Sequence, residues 1–213
     1  MDIKVEEKFV LEMNRNEASL LMEYCQNPHE NDNEKENELK RNIFNLLKSK
    51  LNKPIENDFF SMKIGTKCEG GYFGGIINNN EERYAIIVSP KDLGENQLQF
   101  KTSNTADSGI QSTWNGQLNT LNINDDEHPA AHWCSNLNIN GYTDWYLPAK
   151  DELNLIYNNL KNSGLFENNF YWTSTEHAAY TTFAWTQYFY NGNQGSTDKG
   201  FLDYVRAIRK VSF

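Results

Sequence analysis

The sequence predicts an α+β fold in two parts: a small strand-plus-two-helix domain over residues 1–54, then a larger domain of mixed short strands, two helices and long loops over 55–213. Three observations carry this. Before Pro54 the apolar residues recur at helical spacing; after it the texture changes to short aromatic and β-branched runs punctuated by glycine; and in that second part strands, two helices and strands follow one another without the rhythm of a parallel βαβ sheet. A chain of 213 residues has room for a small and a medium domain, and 38% hydrophobic with 13% aromatic residues is enough to build a core in each.

In order along the chain, residues 4–13 partly alternate and predict a strand. Asn14 stands as an N-cap with Glu17 three positions on, and Leu20, Leu21 and Tyr24 give the following helix an apolar stripe that Pro28 ends. Residues 29–38 alternate acids and amides, but without the glycine and acidic spacing of a calcium loop they predict a solvated linker. Leu39, Ile43, Leu46, Leu47 and Lys50 then mark a second helix.

From residue 55, strands are predicted at 59–64, 71–77 and 84–88, with a turn at Asn78, Asn79 and Asn80 between the last two. Residues 89–124 predict long irregular loops. Helices follow around 127–139, with Ala130, Trp133, Cys134 and Leu137 on one face, and around 150–162, with Leu153, Ile156, Tyr157 and Leu160, ended by Gly164. Beyond them the strands are 170–176, 183–190 and 201–212, with a turn over 191–200.

Charge and cysteine content exclude several function classes. The net charge of -9 divides as 9 basic against 11 acidic residues up to Pro54 and 11 against 18 after it, so both parts are acidic and neither suits a nucleic acid. The start MDIKVEEKFV has no basic-then-apolar leader and no apolar run approaches a membrane span, so the chain reads as made and folded in a cytoplasm, without membrane insertion. Cys25, Cys68 and Cys134 are odd in number and unpaired by spacing, which predicts free thiols.

The segments GYTDWYLPAKDEL (141–153), YWTSTE (171–176), the AW at 184–185 with Phe189 and Gly192, and YVRAIR (204–209) together resemble the DUF1566 family, known also from the C-terminal domain of a bacterial collagen-like adhesin; GGYFGGII, YAIIVSPKD and AAHWCSNL extend the resemblance over about 60–213. It implies a C-type-lectin-like fold, shared with some phage receptor-binding proteins and with formylglycine-generating enzymes. One position departs from the family pattern: Ala149 stands where Ser or Thr would cap the helix opposite Glu152, at an expected cost of about 1 kcal/mol. Residues 1–54 resemble a small leader found ahead of such domains in phage and prophage proteins.

Candidate chemistry is sparse. His132 and Cys134 diverge by about 200° on a helix and cannot form a nucleophile–base pair. Asp151 and Glu152 suit a helix start, and the acids at 125–127 suit capping better than calcium. Arg206 and Arg209 fall on opposite sides of a regular strand, one of them expected in a structural ion pair. The formylglycine-type enzyme would need a copper-binding cysteine pair, and none follows Cys134. The expectation is therefore a non-enzymatic binding module with no cofactor and no metal. With a period of two, Trp185, Gln187 and Phe189 share one face of the 183–190 strand and Thr186, Tyr188 and Tyr190 the other. If the first set faces the core, then Thr186, Tyr188 and Tyr190, with Asn191, Asn193 and Gln194 in the adjoining turn, form a surface of the tyrosine-and-amide kind that serves recognition. The reading is a phage or prophage virion protein, in the tail or as decoration. It is assembled in the host cytoplasm, docked to other subunits through 1–54, and offers a host-surface glycan or protein its C-terminal domain. The alternative is an adhesin of the bacterial cell surface.

Overall fold

The computed structural model describes residues 21, 34–51, 59–78 and 83–213. The chain divides into two compact units, Met1–Glu56 and Asn57–Phe213. The predicted strand at 4–13, most of the first predicted helix with Cys25, and the turn at Asn79 and Asn80 lie outside the described residues. In the first unit, helix α1 runs Glu34–Leu51 with Glu34 and Glu36 in its first turn, where carboxylates oppose the helix dipole favourably. It starts inside the stretch expected to be linker, because Glu and Lys at 34–38 are good helix formers once the chain beyond them is helical.

The second unit is built on two sheets. One holds β1 (Lys67–Cys68), β2 (Gly71–Asn78), β3 (Arg83–Val88) and, last in the chain, β9 (Ile208–Ser212), in the order β1-β2-β3-β9. The other holds β4 (Glu95–Gln99), β5 (Phe170–Glu176), β6 (Phe183–Tyr188), β7 (Gln194–Asp198) and β8 (Leu202–Arg206), in the order β4-β8-β5-β6-β7. Between them in sequence lie α2 (Lys91–Gly94), α3 (Gly116–Asn122), α4 (Pro129–Ser135) and α5 (Lys150–Leu160). The fold is α+β; the described pairings are antiparallel apart from β5 with β8, registered at Tyr171 and Tyr204. The strand expected over 201–212 is two strands in different sheets. The chain changes sheet at Ala207, whose N–H donates to the Gly94 carbonyl (3.0 Å) and whose carbonyl accepts from Ser89 (3.0 Å).

Other expectations are corrected. Residues 59–64 form turns, not a strand: Phe59 is buried against Phe73 and Phe213 at centroid distances of 5.4 and 5.2 Å, so the apolar residue there is an anchor rather than part of a ladder. The stretch 89–124 contains α2, β4 and α3. Strand β4 reads ENQLQ, a polar edge strand that propensity does not reveal. The helix expected over 127–139 is confined to Pro129–Ser135, with proline in its first turn. The turn over 191–200 contains β7.

Strand β3 has two buried faces. Ala85 and Ile87 enter a core with Trp145, Leu147, Trp172, Cys134 and Val205, while Tyr84, Ile86 and Val88 enter a second with Leu153, Ile156, Tyr171 and Phe189. Trp145 and Trp172 are both buried, and each indole N–H has a partner: Trp145 on the Tyr142 carbonyl at 2.9 Å, Trp172 on the Leu98 carbonyl at 3.0 Å.

Helix α5 has Ala149 as its N-cap, whose methyl can accept no hydrogen bond, so only half of a capping box exists. Neighbouring elements supply the rest. The N–H of Lys150 donates to Thr175 Oγ1 (3.1 Å) and that of Asp151 to the Thr113 carbonyl (2.6 Å). Glu152 Oε2 accepts from Ala149 N (2.8 Å) and from Gly116 N (3.2 Å). Residue 116 has to be glycine, since a Cβ there would lie 2.5 Å from both Ala149 N and Glu152 Oε2.

Candidate binding surface

The β6–β7 hairpin brings together four of the six residues expected to form a surface. Tyr188 is half-buried, Tyr190 is 68% exposed, and Asn191 and Asn193 are exposed. The turn that carries them is pinned. Tyr188 N–H donates to the Asn193 carbonyl (2.9 Å), Gly192 N–H to the Tyr188 carbonyl (2.8 Å), and Asn193 N–H to Asn191 Oδ1 (3.0 Å). Gly192 has φ +84, and a Cβ on it would stand 2.4 Å from the Tyr157 ring. Beneath the turn Phe189 stacks on Phe166 (4.2 Å, 17°) and meets Tyr157 edge-on at 5.4 Å, so this anchor faces the core as expected.

Two of the six fall elsewhere. Thr186 is 1% exposed, with its hydroxyl 3.4 Å from that of Thr197. In β6 Thr186 and Gln187, on opposite faces, are both buried, so the period-two argument, which assumes one wet face, fails for the strand's interior. Gln194 is half-buried and its amide donates to the Lys150 carbonyl at 3.1 Å. Trp185, expected to face the core with Phe189, is instead half-buried at the edge. It stacks with His177 (5.1 Å, 21°) and lies under the Lys150 ammonium, 3.4 Å from its centroid.

Phe170, not among the expected residues, completes the surface. It is 39% exposed, pairs with Tyr188 across the β5–β6 ladder, and stacks on it at 4.2 Å and 10°; Tyr190 continues the run at 5.8 Å from Tyr188. Rigid rings beside exposed amides give contact area with little rotamer entropy to lose. The signal for Phe170 was its place at the start of an aromatic strand, one residue before the first buried position.

The remaining candidates have structural roles. Cys134 is fully buried and burial pushes its thiol well above the ordinary range, while His132 is engaged at the surface with Asn124 Oδ1 at 3.1 Å. Burial likewise raises the half-buried Cys68 to about 11. Asp125 does not cap α4 directly: it accepts from Glu127 N–H (3.0 Å) and holds His128 Nδ1 at 2.6 Å. Among the described residues, no group of three or more His, Cys, Asp or Glu is placed to hold a metal ion.

Both arginines are in ion pairs, where one was expected. Arg206 meets Glu95 at 2.9 Å and donates to the Ser89 carbonyl at 2.9 Å; Arg209 meets Asp144 at 2.7 Å and Glu69 at 3.2 Å. A buried charge cluster joins the long loop after β4 to β5 and β7. Lys199 Nζ donates to Asp107 Oδ2 (2.6 Å), Glu176 Oε1 (2.6 Å) and the Thr105 carbonyl (2.9 Å), and Lys101 pairs with the other oxygen of Asp107. Burial opposes ionisation of Asp107, but its bonds from Lys101, Lys199 and His128 outweigh that and hold its carboxyl below the usual range.

Glu152 is 1% exposed and burial raises its carboxyl from 4.5 to about 7, against the lowering effect of its hydrogen bonds. Tyr146 Oη and Tyr84 Oη each lie 2.9 Å from Oε1, and Tyr84 Oη is also 2.7 Å from the Trp114 carbonyl. One hydroxyl hydrogen cannot serve both. If Tyr84 donates to Trp114, its oxygen is left to accept from a protonated Glu152, a hydrogen count that agrees with the raised carboxyl.

No curated protein matches the chain. The Lcl C-terminal domain family matches residues 95–209. That span covers β4 to the start of β9, and with it the hairpin, Phe170 and the sheet crossing at Ala207. The chain therefore belongs to the Lcl C-terminal domain family, a family of the DUF1566 type.

Proposed function

We propose that this protein is a non-enzymatic binding module whose second unit has the C-type-lectin-like fold and engages a host-surface glycan or protein through the hairpin surface of Tyr188, Tyr190, Asn191 and Asn193 with Phe170. The observation that carries the reading is the exposed aromatic run on a pinned turn. The lectin-like assignment is supported by the way the last strand, β9, returns to pair with β3 and closes the unit on itself.

Binding rather than catalysis is favoured by the fate of the candidate nucleophile. Cys134 is sealed in the core with its thiol raised, and the carboxylate of Glu152 is enclosed by hydrogen-bond partners. Display on a phage or prophage particle, with docking through residues 1–54, is the setting we favour; it rests on the resemblance of that leader. The family relation also suits an adhesin of the bacterial surface. Among the described residues no helix is long and apolar enough to cross a membrane.

The test is a glycan array together with cell-surface binding by the full chain. Saturable capture of one glycan or protein class supports recognition, and failure on every host surface favours a decorating or cementing role. Fractionation of the native protein separates the particle from the cell envelope.

A further inference from the structure

A carboxylate stands in the same surface row as the exposed rings. In the second sheet β8 lies between β4 and β5, and its register sets Asp203 opposite Leu98 on β4. The parallel pairing of Tyr171 with Tyr204 sets the preceding residues, Phe170 and Asp203, side by side, and Phe170 pairs with Tyr188 on β6. Alternation gives Asp203 the face of Val205, and Phe170 the face of Trp172, both in the same core. A row Leu98–Asp203–Phe170–Tyr188 therefore crosses four strands at one end of the sheet, with Phe201 exposed in the bend just before β8.

Asp203 is half-buried, its Oδ2 is shielded from solvent, and among the described residues its side chain has no hydrogen bond or ion pair. Burial alone accounts for the raised carboxyl, at about 6. The other shielded acids of this unit are held: Glu95 by Arg206, Asp107 by Lys101 and Lys199, Glu176 through Oε1 by Lys199, and Glu152 by its four neighbours. An unpaired, partly desolvated carboxylate costs folding free energy that Asn would spare, and such a cost kept beside a functional surface points to a ligand of opposite charge.

We propose that the Asp203–Phe170–Tyr188 row binds the cationic head of a lysine or arginine side chain presented by a protein partner. This deepens the binding reading above and rests on it. A carboxylate next to stacked ring faces is the two-part chemistry that takes an organic cation, the charge meeting the acid and the stem or guanidinium plane lying on the rings. Phe170 is 39% exposed while Asp203 and Tyr188 are half-buried, so the cation would have to arrive on a long side chain projecting from another surface. Tyr190 and Phe201, both exposed just beyond the strand ends that carry the row, give that partner apolar area of the sort that dominates protein interfaces. The excess of 18 acidic over 11 basic residues after Pro54 favours a basic partner in the encounter.

The experiment titrates the isotope-labelled full chain with short Gly/Ser peptides carrying a single Lys, a single Arg or, as control, a single Gln, followed by NMR. The expected result is saturable shifts at Phe170, Tyr188 and Asp203 with Lys or Arg and none with Gln. Asp203→Asn, close to isosteric, should weaken binding at least tenfold while its melting temperature stays the same or rises. Equal response to the Gln peptide, no saturable response to any peptide, or unchanged affinity in the folded Asp203→Asn variant would overturn the proposal. The two readings separate in the capture assay of the full chain. Capture lost in Tyr188→Ala but kept in Asp203→Asn leaves the surface standing and removes the cation, whereas capture kept in both removes both.

Discussion

Replacing Glu152 with Gln probes a buried carboxyl whose protonation the surrounding hydrogens appoint. In the folded chain its carboxyl is raised from 4.5 to about 7, while the unfolded chain keeps the ordinary value. A raised carboxyl binds more protons folded than unfolded between these values. By linkage its contribution is full below about 4.5 and is lost as pH rises through about 7. The shift corresponds to about 3 kcal/mol across that window at ~1.4 kcal/mol per unit. Gln has the shape of the neutral acid: its carbonyl accepts from Ala149 and Gly116 and its amide donates to Tyr84, while the Tyr146 hydroxyl, which donates to Oε1 in the parent, turns to accept from the amide. Urea unfolding of both proteins at pH 5 and pH 8 cancels every other titration. Near pH 5 the variant should lie within about 1 kcal/mol of the parent, and by pH 8 the parent should have lost about 3 kcal/mol relative to it. A difference that does not change with pH, or a variant destabilised by several kcal/mol throughout, means that Glu152 is an anion at neutral pH and the hydrogen count is wrong.

Other perturbations follow from named contacts. Trp172→Ala removes a fully buried ring packed on Phe100 at 5.6 Å, and should cost about 3–5 kcal/mol in chemical denaturation; an unchanged midpoint would deny it a core role. Lys199→Met leaves Asp107 and Glu176 without their shared cation and should destabilise by about 3–5 kcal/mol, with increased hydrogen exchange over residues 100–110 as its local signature. Gly192→Ala forces an L-residue into φ +84 and a methyl onto Tyr157, so it should lower the melting temperature and broaden the resonances of Tyr188 and Asn193; a variant that melts with the parent shows that the turn can relax.

Much of the fold was legible because its signals are local. The short β-branched and aromatic runs at 71–77, 84–88 and 170–176 and the stripe of Leu153, Ile156 and Leu160 each gave the right element, and Trp145 and Trp172 lie in the core. Strand β4 was hidden because Glu95, Asn96 and Gln97 owe their extended state to pairing with β8, a partner about a hundred residues away. The crossing at Ala207 was hidden for a similar reason: an apolar run does not say that its two halves belong to different sheets. For the candidate surface, Tyr188, Tyr190, Asn191 and Asn193 were readable from period two and turn chemistry. Thr186 was misplaced because β6 is covered on both sides, and Asp203 and Phe170 were missed because only the register across β8, β5 and β6 sets them in one row.

The central claim is that the hairpin surface is where this protein recognises its target. It is tested most directly by the affinity of the double variant Tyr188→Ser, Tyr190→Ser for whichever surface the parent chain captures, measured alongside its melting curve. Aromatic side chains at the centre of an interface typically account for about 2 kcal/mol or more each, so the account predicts binding at least tenfold weaker with a cooperative melt retained. Undiminished affinity in a folded double variant would contradict it.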